Sequence, residues 1–289
     1  MRIGFLIGKR NDACMSKLWY CEKIHCLEKG FDELKPAAIC FFDLDGTLLT
    51  SDSVVAESSV RALRELRVKN VMPIIATGRT LCEIEHVLAT TEMTSVIAMN
   101  GQYVLYDGKE VYTNPIDVEE IKALHQGAQS QNVEMAFYTE AKIRGTAQNE
   151  VMEKHYRYLG EESPDVDAAL YLKEPIYMLL LLLEKGDDYF PERFPYFQFV
   201  RNTPFSNDVV PKGGSKAQGI AKLLTVMGFE DVPTYAFGDG MNDLEMFGAV
   251  DHAIAMENAV PALKEKAEFV TADNNSDGIE KGLRLCGLL

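Results

Sequence analysis

The chain has 289 residues, of which 47% are hydrophobic and 25% are charged, as is usual for a globular protein with one large or two smaller domains. Its 29 basic and 44 acidic residues give a formal net charge of -15, which argues against nucleic acid or an anionic membrane as the main partner. The longest apolar run, residues 176–183, is much shorter than the roughly 20 residues of a membrane span. We therefore expect no membrane segment. The expected partner is a small molecule, and the expected assembly is a monomer or a homodimer.

Residues 1–36 precede the regular pattern of the chain and carry Cys14, Cys21, His25 and Cys26. Their spacing matches none of the tight paired patterns of zinc sites, so a surface helix and loop is the favoured interpretation and a zinc site the alternative. The first residues do not resemble a signal peptide. Six cysteines in a chain of this length favour reduced thiols in the cytoplasm over a disulfide framework.

The apolar run 37–42 has the length and bulk of a buried strand and is followed by Asp43 and Asp45. Two carboxylates at the end of such a strand repel each other and resist burial unless a cation compensates them. Gly46 and Thr47 add a tight turn and a hydroxyl beside them. The pattern predicts an acidic metal site, and its alternative is a pair of turn or helix-cap acids.

Strands and helices then alternate along the chain. The pattern predicts a helix with apolar positions Val60, Leu63, Leu66 and Val68, and buried strands at 71–76, 96–99 and 234–237. This alternation is typical of a parallel sheet with helices on both faces. The polar residues that follow the strands are Asp43, Thr77, Asn100 and Asp239. Because active sites of such sheets lie beyond the carboxyl ends of the strands, we expect these side chains to converge.

Residues 114–205 have a different pattern. A helix is predicted at 118–128 and strands at 135–138, 177–183 and 197–201, with prolines in the second half of the segment. The acidic strand ends stop before this segment and resume after it, which indicates an inserted α+β domain. Such a domain can act as a lid that excludes water and selects the substrate.

Four motifs now identify a family. They are Asp43-Leu44-Asp45-Gly46-Thr47, Ala76-Thr77-Gly78-Arg79, Lys216, and Gly238-Asp239-Gly240-Met241-Asn242-Asp243, continued by residues 252–259, by Lys264 and Lys266, and by Asp277-Gly278. In order and separation they resemble the haloacid dehalogenase superfamily, and within it the Cof-like phosphatases with a type IIB cap. The resemblance covers the chain from about residue 37 to its end. Ala217 and Glu257 depart from the family pattern, where glycine is usual, without touching the proposed chemistry.

This resemblance implies an α/β fold: a Rossmann-like parallel sheet core formed by residues 37–113 and 206–289, with an α+β cap at 114–205. The N-terminal 36 residues lie outside it. The implied activity is a Mg²⁺-dependent phosphatase that hydrolyses a small phosphorylated metabolite, with sugar phosphates as the first guess.

The resemblance and the chemistry assign the catalytic residues in the same way. A carboxylate can attack phosphorus and give an acyl-phosphate, so Asp43 is the predicted nucleophile. Asp45 is the predicted acid that protonates the leaving oxygen and later activates water. Lys216 is predicted to neutralise the phosphate and the nucleophile. Lys212 is its rival by position, but a predicted helix opens after Lys216, where the family lysine stands.

The predicted phosphate ligands are the Thr77 hydroxyl, the Gly78 amide, Arg79, Asn100 and Asn242. Three of them have an ordinary structural alternative. Thr77 can be a helix cap, Arg79 can form a surface salt bridge, and Asn100 can belong to a plain turn.

The expected metal is Mg²⁺, which prefers oxygen ligands and keeps several waters. Its predicted protein ligands are an oxygen of Asp43, the backbone carbonyl of Asp45, and Asp239. Asn242 and Asp243 are expected to hold the waters or to orient the lysine, with Asp243 as a support for the site and not as a direct ligand.

Three other functions are weighed against hydrolysis. A phosphomutase of the same architecture would use the same pair of aspartates and return the phosphoryl group to a sugar. An ATPase pump lacks the second aspartate and needs membrane spans. A binding or regulatory protein on a degenerate scaffold would have lost a catalytic residue, whereas all the expected ones are present.

Overall fold

The structure is a computed structural model that describes residues 35–186 and 188–289. The zinc alternative for Cys14, Cys21, His25 and Cys26 lies outside the described residues. The strands are β1 (Ala38–Phe42), β2 (Val71–Ala76), β3 (Val96–Ala98), β4 (Tyr103–Tyr106), β5 (Lys109–Thr113), β6 (Glu134–Tyr138), β7 (Ile143–Gly145), β8 (Met178–Leu182), β9 (Phe197–Thr203), β10 (Ser206–Pro211), β11 (Thr234–Gly238), β12 (His252–Ala255) and β13 (Phe269–Val270).

Helices alternate with the strands along much of the chain. They are α1 (Glu57–Val68), α2 (Glu85–Thr91), α3 (Val118–Ser130), α4 (Glu150–Leu159), α5 (Tyr189–Arg193), α6 (Lys216–Met227), α7 (Leu244–Phe247), α8 (Pro261–Lys264) and α9 (Gly278–Leu285). None of the helices among the described residues has the length and apolar character needed to cross a membrane. The apolar run at 176–183 instead contains β8.

The first sheet has the strand order β13-β12-β11-β1-β2-β3-β4-β5. Its centre is β1, which pairs in parallel with β2 and β11 and is fully buried. A strand covered on both faces needs a continuous apolar run, and this is what the sequence of β1 offers. The predicted α/β class with a large, mainly parallel sheet is therefore confirmed.

Two hydrophobic cores cover the two faces of this sheet. Along β1, Cys40 and Phe42 point into one core, which includes apolar residues of α1 and α9. Ile39 and Phe41 point into the other, which includes apolar residues of α6, α7 and α8. The alternation follows from the two-residue period of a strand, and it fixes the direction in which the end of β1 presents its next side chain.

The antiparallel edge formed by β4 and β5 was not predicted from the sequence. The two strands are joined by Asp107 and Gly108, whose φ angles of 47° and 70° suit the tight turns of β-hairpins. This hairpin extends the parallel sheet without a crossover helix.

The second sheet is antiparallel, with the order β7-β6-β8-β10-β9, and all its strands lie between residues 134 and 211. β10 lies beyond residue 205, the predicted end of the inserted segment, and pairs with β8 and β9 of this sheet. Pro204 lies in the turn between β9 and β10. A proline that fits a hairpin turn does not mark a boundary.

The chain leaves the first sheet at Asn114 and returns at Gly214, and both connections contact Gln102. The Asn114 side-chain amide donates to Gln102 Oε1 at 2.8 Å. A Cβ at Gly214 would lie 2.5 Å from Gln102 Nε2, and Gln102 is fully buried. One side chain thus lies between the outgoing and the returning connection.

Candidate active site

The strand ends of the first sheet open into a cavity of about 720 Å³, which is also lined by residues of the second sheet. Asp43 follows β1, Thr77 follows β2, Asn100 lies just after β3, and Asp239 follows β11. The predicted site residues that line this cavity are Asp43, Asp45, Thr77, Gly78, Arg79, Asn100, Lys216, Asp239 and Asn242. The remaining one, Asp243, is completely buried beside Lys216. The structure therefore brings together the residues that the sequence predicted to converge.

The turn after β1 packs closely on the loop after β11. Gly46 has a φ of 77°, and a Cβ there would lie 2.3 Å from Asp239 Oδ2. The Thr47 hydroxyl donates to Asp239 Oδ1 at 3.0 Å. Glycine meets both the positive φ and the close approach without steric cost, so the turn can bring Asp45 and Asp239 to the same side of the site.

Lys216 is 1% exposed and is the buried cation of the site. Its ammonium donates to Asp43 Oδ1, and also to Asp243 Oδ1 at 2.7 Å. It is the first residue of α6, which the Ser215 hydroxyl caps by accepting from the Gln218 amide at 3.3 Å. Lys212, the rival by sequence, is exposed. The lysine at the start of the helix is thus the one that contacts the predicted nucleophile.

Asp243 holds the lysine and the loop after β11 in place. Its Oδ2 accepts from the backbone amides of Asp239 and Gly240, each at 3.0 Å, while its Oδ1 accepts from Lys216. A Cβ at Gly238 would lie 2.6 Å from Asp243 Oδ2. Both carboxylate oxygens are therefore engaged in holding the backbone and the lysine, as expected for a supporting residue.

Oxygen atoms of Asp43, Asp239 and Asp243 lie within 4.8 Å of one another. Burial raises the pKa of Asp43 well above its usual value, Lys216 opposes this, and the neighbouring carboxylates add to it. Burial, followed by the charge of Asp243, raises the pKa of Asp239 to about 6. For Lys216, burial alone would lower the pKa, but Asp243 and Asp43 outweigh it and the pKa is raised. One lysine does not balance three carboxylates, and oxygen donors in this number suit a hard divalent cation.

Arg79 forms a two-pronged salt bridge with Asp45. Its Nε and Nη2 donate to the two carboxylate oxygens at 2.9 and 2.7 Å. The backbone amide of Arg79 donates to the Thr77 hydroxyl at 3.1 Å. The predicted phosphate contact of Arg79 stays a prediction, and the structure adds a partner that the sequence did not indicate.

Asn100 adopts a left-handed conformation with φ 51° and donates through Nδ2 to Asp208 Oδ2 at 3.2 Å. A Cβ at Gly101 would lie 2.1 Å from the backbone oxygen of Ser215. The turn after β3 therefore packs against the start of α6. Asn242 is exposed at the same cavity.

Sequence reasoning missed three residues of this region. The Asn258 side chain donates to the Gly46 carbonyl at 2.8 Å and lies 3.5 Å from Asp239 Oδ2. Glu83 and Asp208 line the cavity. Two of them had a sequence signal: Asn258 lies within the motif at 252–259, and Thr80 and Glu83 have the spacing of a capping box.

Comparison with known proteins identifies the class. The sequence pattern of the haloacid dehalogenase-like hydrolase family matches residues 40–283. "Putative phosphatase YkrA" of Bacillus subtilis (strain 168) is 35% identical over 252 residues, 87% of this chain and 98% of that protein. The "5-amino-6-(5-phospho-D-ribitylamino)uracil phosphatase YwtE" of the same organism is 28% identical, over 82% of this chain and 93% of its own length. The solved structure of the "HAD Subclass IIB Sugar Phosphatase BT4131" has 28% identity and a TM-score of 0.76, covering 87% of this chain and all of that one.

The chain therefore belongs to the haloacid dehalogenase-like hydrolases. Within that class it is a phosphatase of the Cof-like type that hydrolyses phosphoric monoesters, as the sequence motifs predicted.

Proposed function

We propose that the protein hydrolyses a small phosphorylated metabolite with the help of Mg²⁺, through an aspartyl-phosphate formed on Asp43. The observation that carries this proposal is the buried Asp43 carboxylate at the end of β1, which is contacted by Lys216 and faces the same cavity as Asp45. A nucleophile, a fixed cation and an acid with solvent access then lie at one strand end.

In the first half-reaction, one carboxylate oxygen of Asp43 attacks phosphorus and the bond to the leaving oxygen breaks. Asp45 gives its proton to that oxygen. In the second, Asp45 takes a proton from water, which attacks the phosphoryl group and regenerates Asp43. Lys216 stabilises the negative charge throughout, because it is already in place and needs no reorganisation.

The residues present fit a divalent cation, since they supply carboxylate oxygens with unbalanced charge. We propose that Asp43, the backbone carbonyl of Asp45, and Asp239 hold it. When bound, the cation neutralises charge that develops on the phosphoryl oxygens. Asp243 is not included because its oxygens accept from Lys216 and from two backbone amides.

The phosphate oxygens are proposed to meet the Thr77 hydroxyl, the Gly78 amide, Asn100 and Asn242 at the rim of the same cavity. Arg79 was predicted to join them. Its bonds to Asp45 favour a role in placing that carboxylate instead.

Residues 114–211 are proposed to form the cap that selects the substrate, because their sheet lines the cavity opposite the strand ends. One relative is named for a ribitylaminouracil phosphate and another as a sugar phosphatase. We take sugar phosphates as the first substrate class to test.

The proposed location of the protein is the cytoplasm. Cys40, Cys82 and Cys286 are free thiols, which agrees with this location.

The test is phosphate release from a panel of phosphorylated metabolites, in Mg²⁺ or EDTA, by the wild type and Asp43→Asn. We expect turnover that requires Mg²⁺ and falls by at least about 10³-fold in the variant. Asp251→Asn is a matched control, since Asp251 is an exposed acid that accepts from Thr234. Turnover that survives in Asp43→Asn would show that the nucleophile is another residue. Release that needs a bisphosphate activator would favour the phosphomutase.

A further inference from the structure

Arg79 contacts two carboxylates that come from different parts of the fold. Its Nε and Nη2 bind Asp45, which follows β1, at 2.9 and 2.7 Å. Its Nη1 lies 3.8 Å from Oε1 of Glu161, which follows α4 in the inserted segment. The guanidinium is 20% exposed, and Glu161 is 33% exposed. A single arginine thus connects the predicted acid to the segment proposed as the cap.

The backbone on both sides of this contact is well anchored. The Arg79 amide donates to the Thr77 hydroxyl at 3.1 Å, and the Arg79 carbonyl accepts from the Met99 amide at 3.1 Å. On the other side, Gly160 ends α4 with a φ of 73°, and the Glu161 amide donates back to the Tyr156 carbonyl at 2.8 Å. Glu161 therefore moves with α4, and Arg79 with the strand ends of the first sheet.

The geometry of the guanidinium makes this contact directional. A planar fork that binds both oxygens of a carboxylate fixes the plane of that carboxylate as well as its distance. The remaining nitrogen of Arg79 points toward Glu161. Asp45 is 58% exposed, so the fork of Arg79, which binds both of its oxygens, sets the plane of this carboxylate.

We propose that Arg79 is a positioning residue that orients Asp45 for proton transfer, and that Glu161 holds this arginine in place when the inserted segment covers the site. The proposal rests on the proposed function. Asp45 gives its proton to the leaving oxygen, as described above, and neither Arg79 nor Glu161 exchanges a proton in the step. Placement of the acid then depends on the position of the segment above it.

The experiment compares two substrates that differ in their need for an acid. The phenolate of an aryl phosphate, such as p-nitrophenyl phosphate, leaves without protonation, whereas an alkyl phosphate such as a hexose 6-phosphate requires it. The quantity measured is kcat/KM, which reports the steps up to departure of the leaving group and is independent of the later attack by water.

For Arg79→Gln we expect a loss of about 10²-fold in kcat/KM on the alkyl ester, the lower end of what a positioned acid contributes, and less than about 3-fold on the aryl ester. Arg79→Lys should recover only part of the kcat/KM on the alkyl ester, since an ammonium cannot form the fork. Glu161→Gln should also lose kcat/KM selectively on the alkyl ester, by about 3- to 10-fold. The double variant should lose no more than Arg79→Gln alone, because both changes act on one contact.

Glu153→Gln is the matched control on the same helix. Glu153 is an exposed partner of Arg157 at 4.0 Å, and its change should leave both kcat/KM values unaltered. Thermal unfolding of every variant separates misfolding from misplacement of the acid.

Two results would overturn the proposal. Equal losses on both esters would mean that Arg79 binds the phosphate itself, and additive losses in the double variant would mean that Glu161 acts independently. Absence of wild-type turnover on the aryl ester would instead contradict the proposed function, so the two failures are distinguishable.

Discussion

Replacing Lys216 by methionine tests whether this lysine compensates the buried carboxylates. Methionine keeps the length of the side chain and removes its charge. The ammonium is 1% exposed and donates to Asp43 and Asp243. Its loss leaves three carboxylates, whose oxygens lie within 4.8 Å of one another, without their cation. We expect a marked loss of stability.

The magnitude follows from two opposing effects. Removing one partner of a buried ion pair costs about 3–5 kcal/mol, because the other charge stays buried and unpaired. Removing a cation from the first turn of α6 returns only about 0.3–1 kcal/mol. The net loss is about 2–5 kcal/mol. For a domain of this size it corresponds to a melting temperature lower by about 4–20 °C.

The assay is equilibrium denaturation of the full chain at neutral pH in EDTA, with Lys212→Met as the control. Lys212 is exposed, and its change should alter stability by less than about 0.5 kcal/mol. Added Mg²⁺ should reduce the difference in the free energy of unfolding between Lys216→Met and the wild type, because a bound dication supplies part of the missing charge. If Lys216→Met is as stable as Lys212→Met in EDTA, the reasoning about charge compensation is wrong.

Three further predictions follow from the local geometry. Gly46→Ala should weaken Mg²⁺ binding by at least about 10-fold, since its Cβ would lie 2.3 Å from Asp239 Oδ2. Binding is measured by calorimetric titration of each variant with Mg²⁺. Gly213→Ala is the control, because Gly213 also has a positive φ but has open space around it, so only backbone strain is added. Burial lowers the pKa of His155 to about 4, so as the pH falls below the usual histidine pKa this residue takes up a proton in the unfolded chain before it does so in the folded one, and its own contribution to the free energy of unfolding should fall by about 1 to 2 kcal/mol between pH 7 and pH 5. Denaturation curves at both pH values should show that the wild type loses this much more stability than His155→Gln; an identical pH dependence in the two proteins would contradict the assignment. Thr80→Val should lower the stability measured by thermal unfolding by about 1–2 kcal/mol, because the buried Thr80 hydroxyl donates to a backbone carbonyl of the inserted segment at 2.6 Å. Thr90→Val is the control and should have little effect, since it removes an exposed hydroxyl that is bound within its own helix.

The positions of the predicted site residues follow from strand ends that the sequence defines well. The runs before Asp43, Thr77 and Asp239 are apolar and uninterrupted, and parallel strands must bring their carboxyl ends to one edge. Lys216 could also be chosen over Lys212 from the sequence, because a predicted helix opens after it, where the family lysine stands.

Contacts between distant segments could not be predicted in this way. Glu161 follows the end of a helix, where an acidic residue is ordinarily exposed, and nothing in its neighbours indicates that it lies near Arg79. Asn258 falls within a family motif, yet its bond to the Gly46 carbonyl depends on how two loops pack. The pairing of β10 with β8 likewise joins strands that are distant along the chain, so the extent of the second sheet could not be derived from local patterns.

Gln102 lies beside both ends of the inserted segment. Both connections contact this one buried side chain, so the ends of the segment are close together although about a hundred residues separate them. Insertions with adjacent ends are tolerated because they leave the host fold undisturbed. A segment of different length or sequence can therefore leave and rejoin the first sheet at these two connections without moving the strand ends on either side of them.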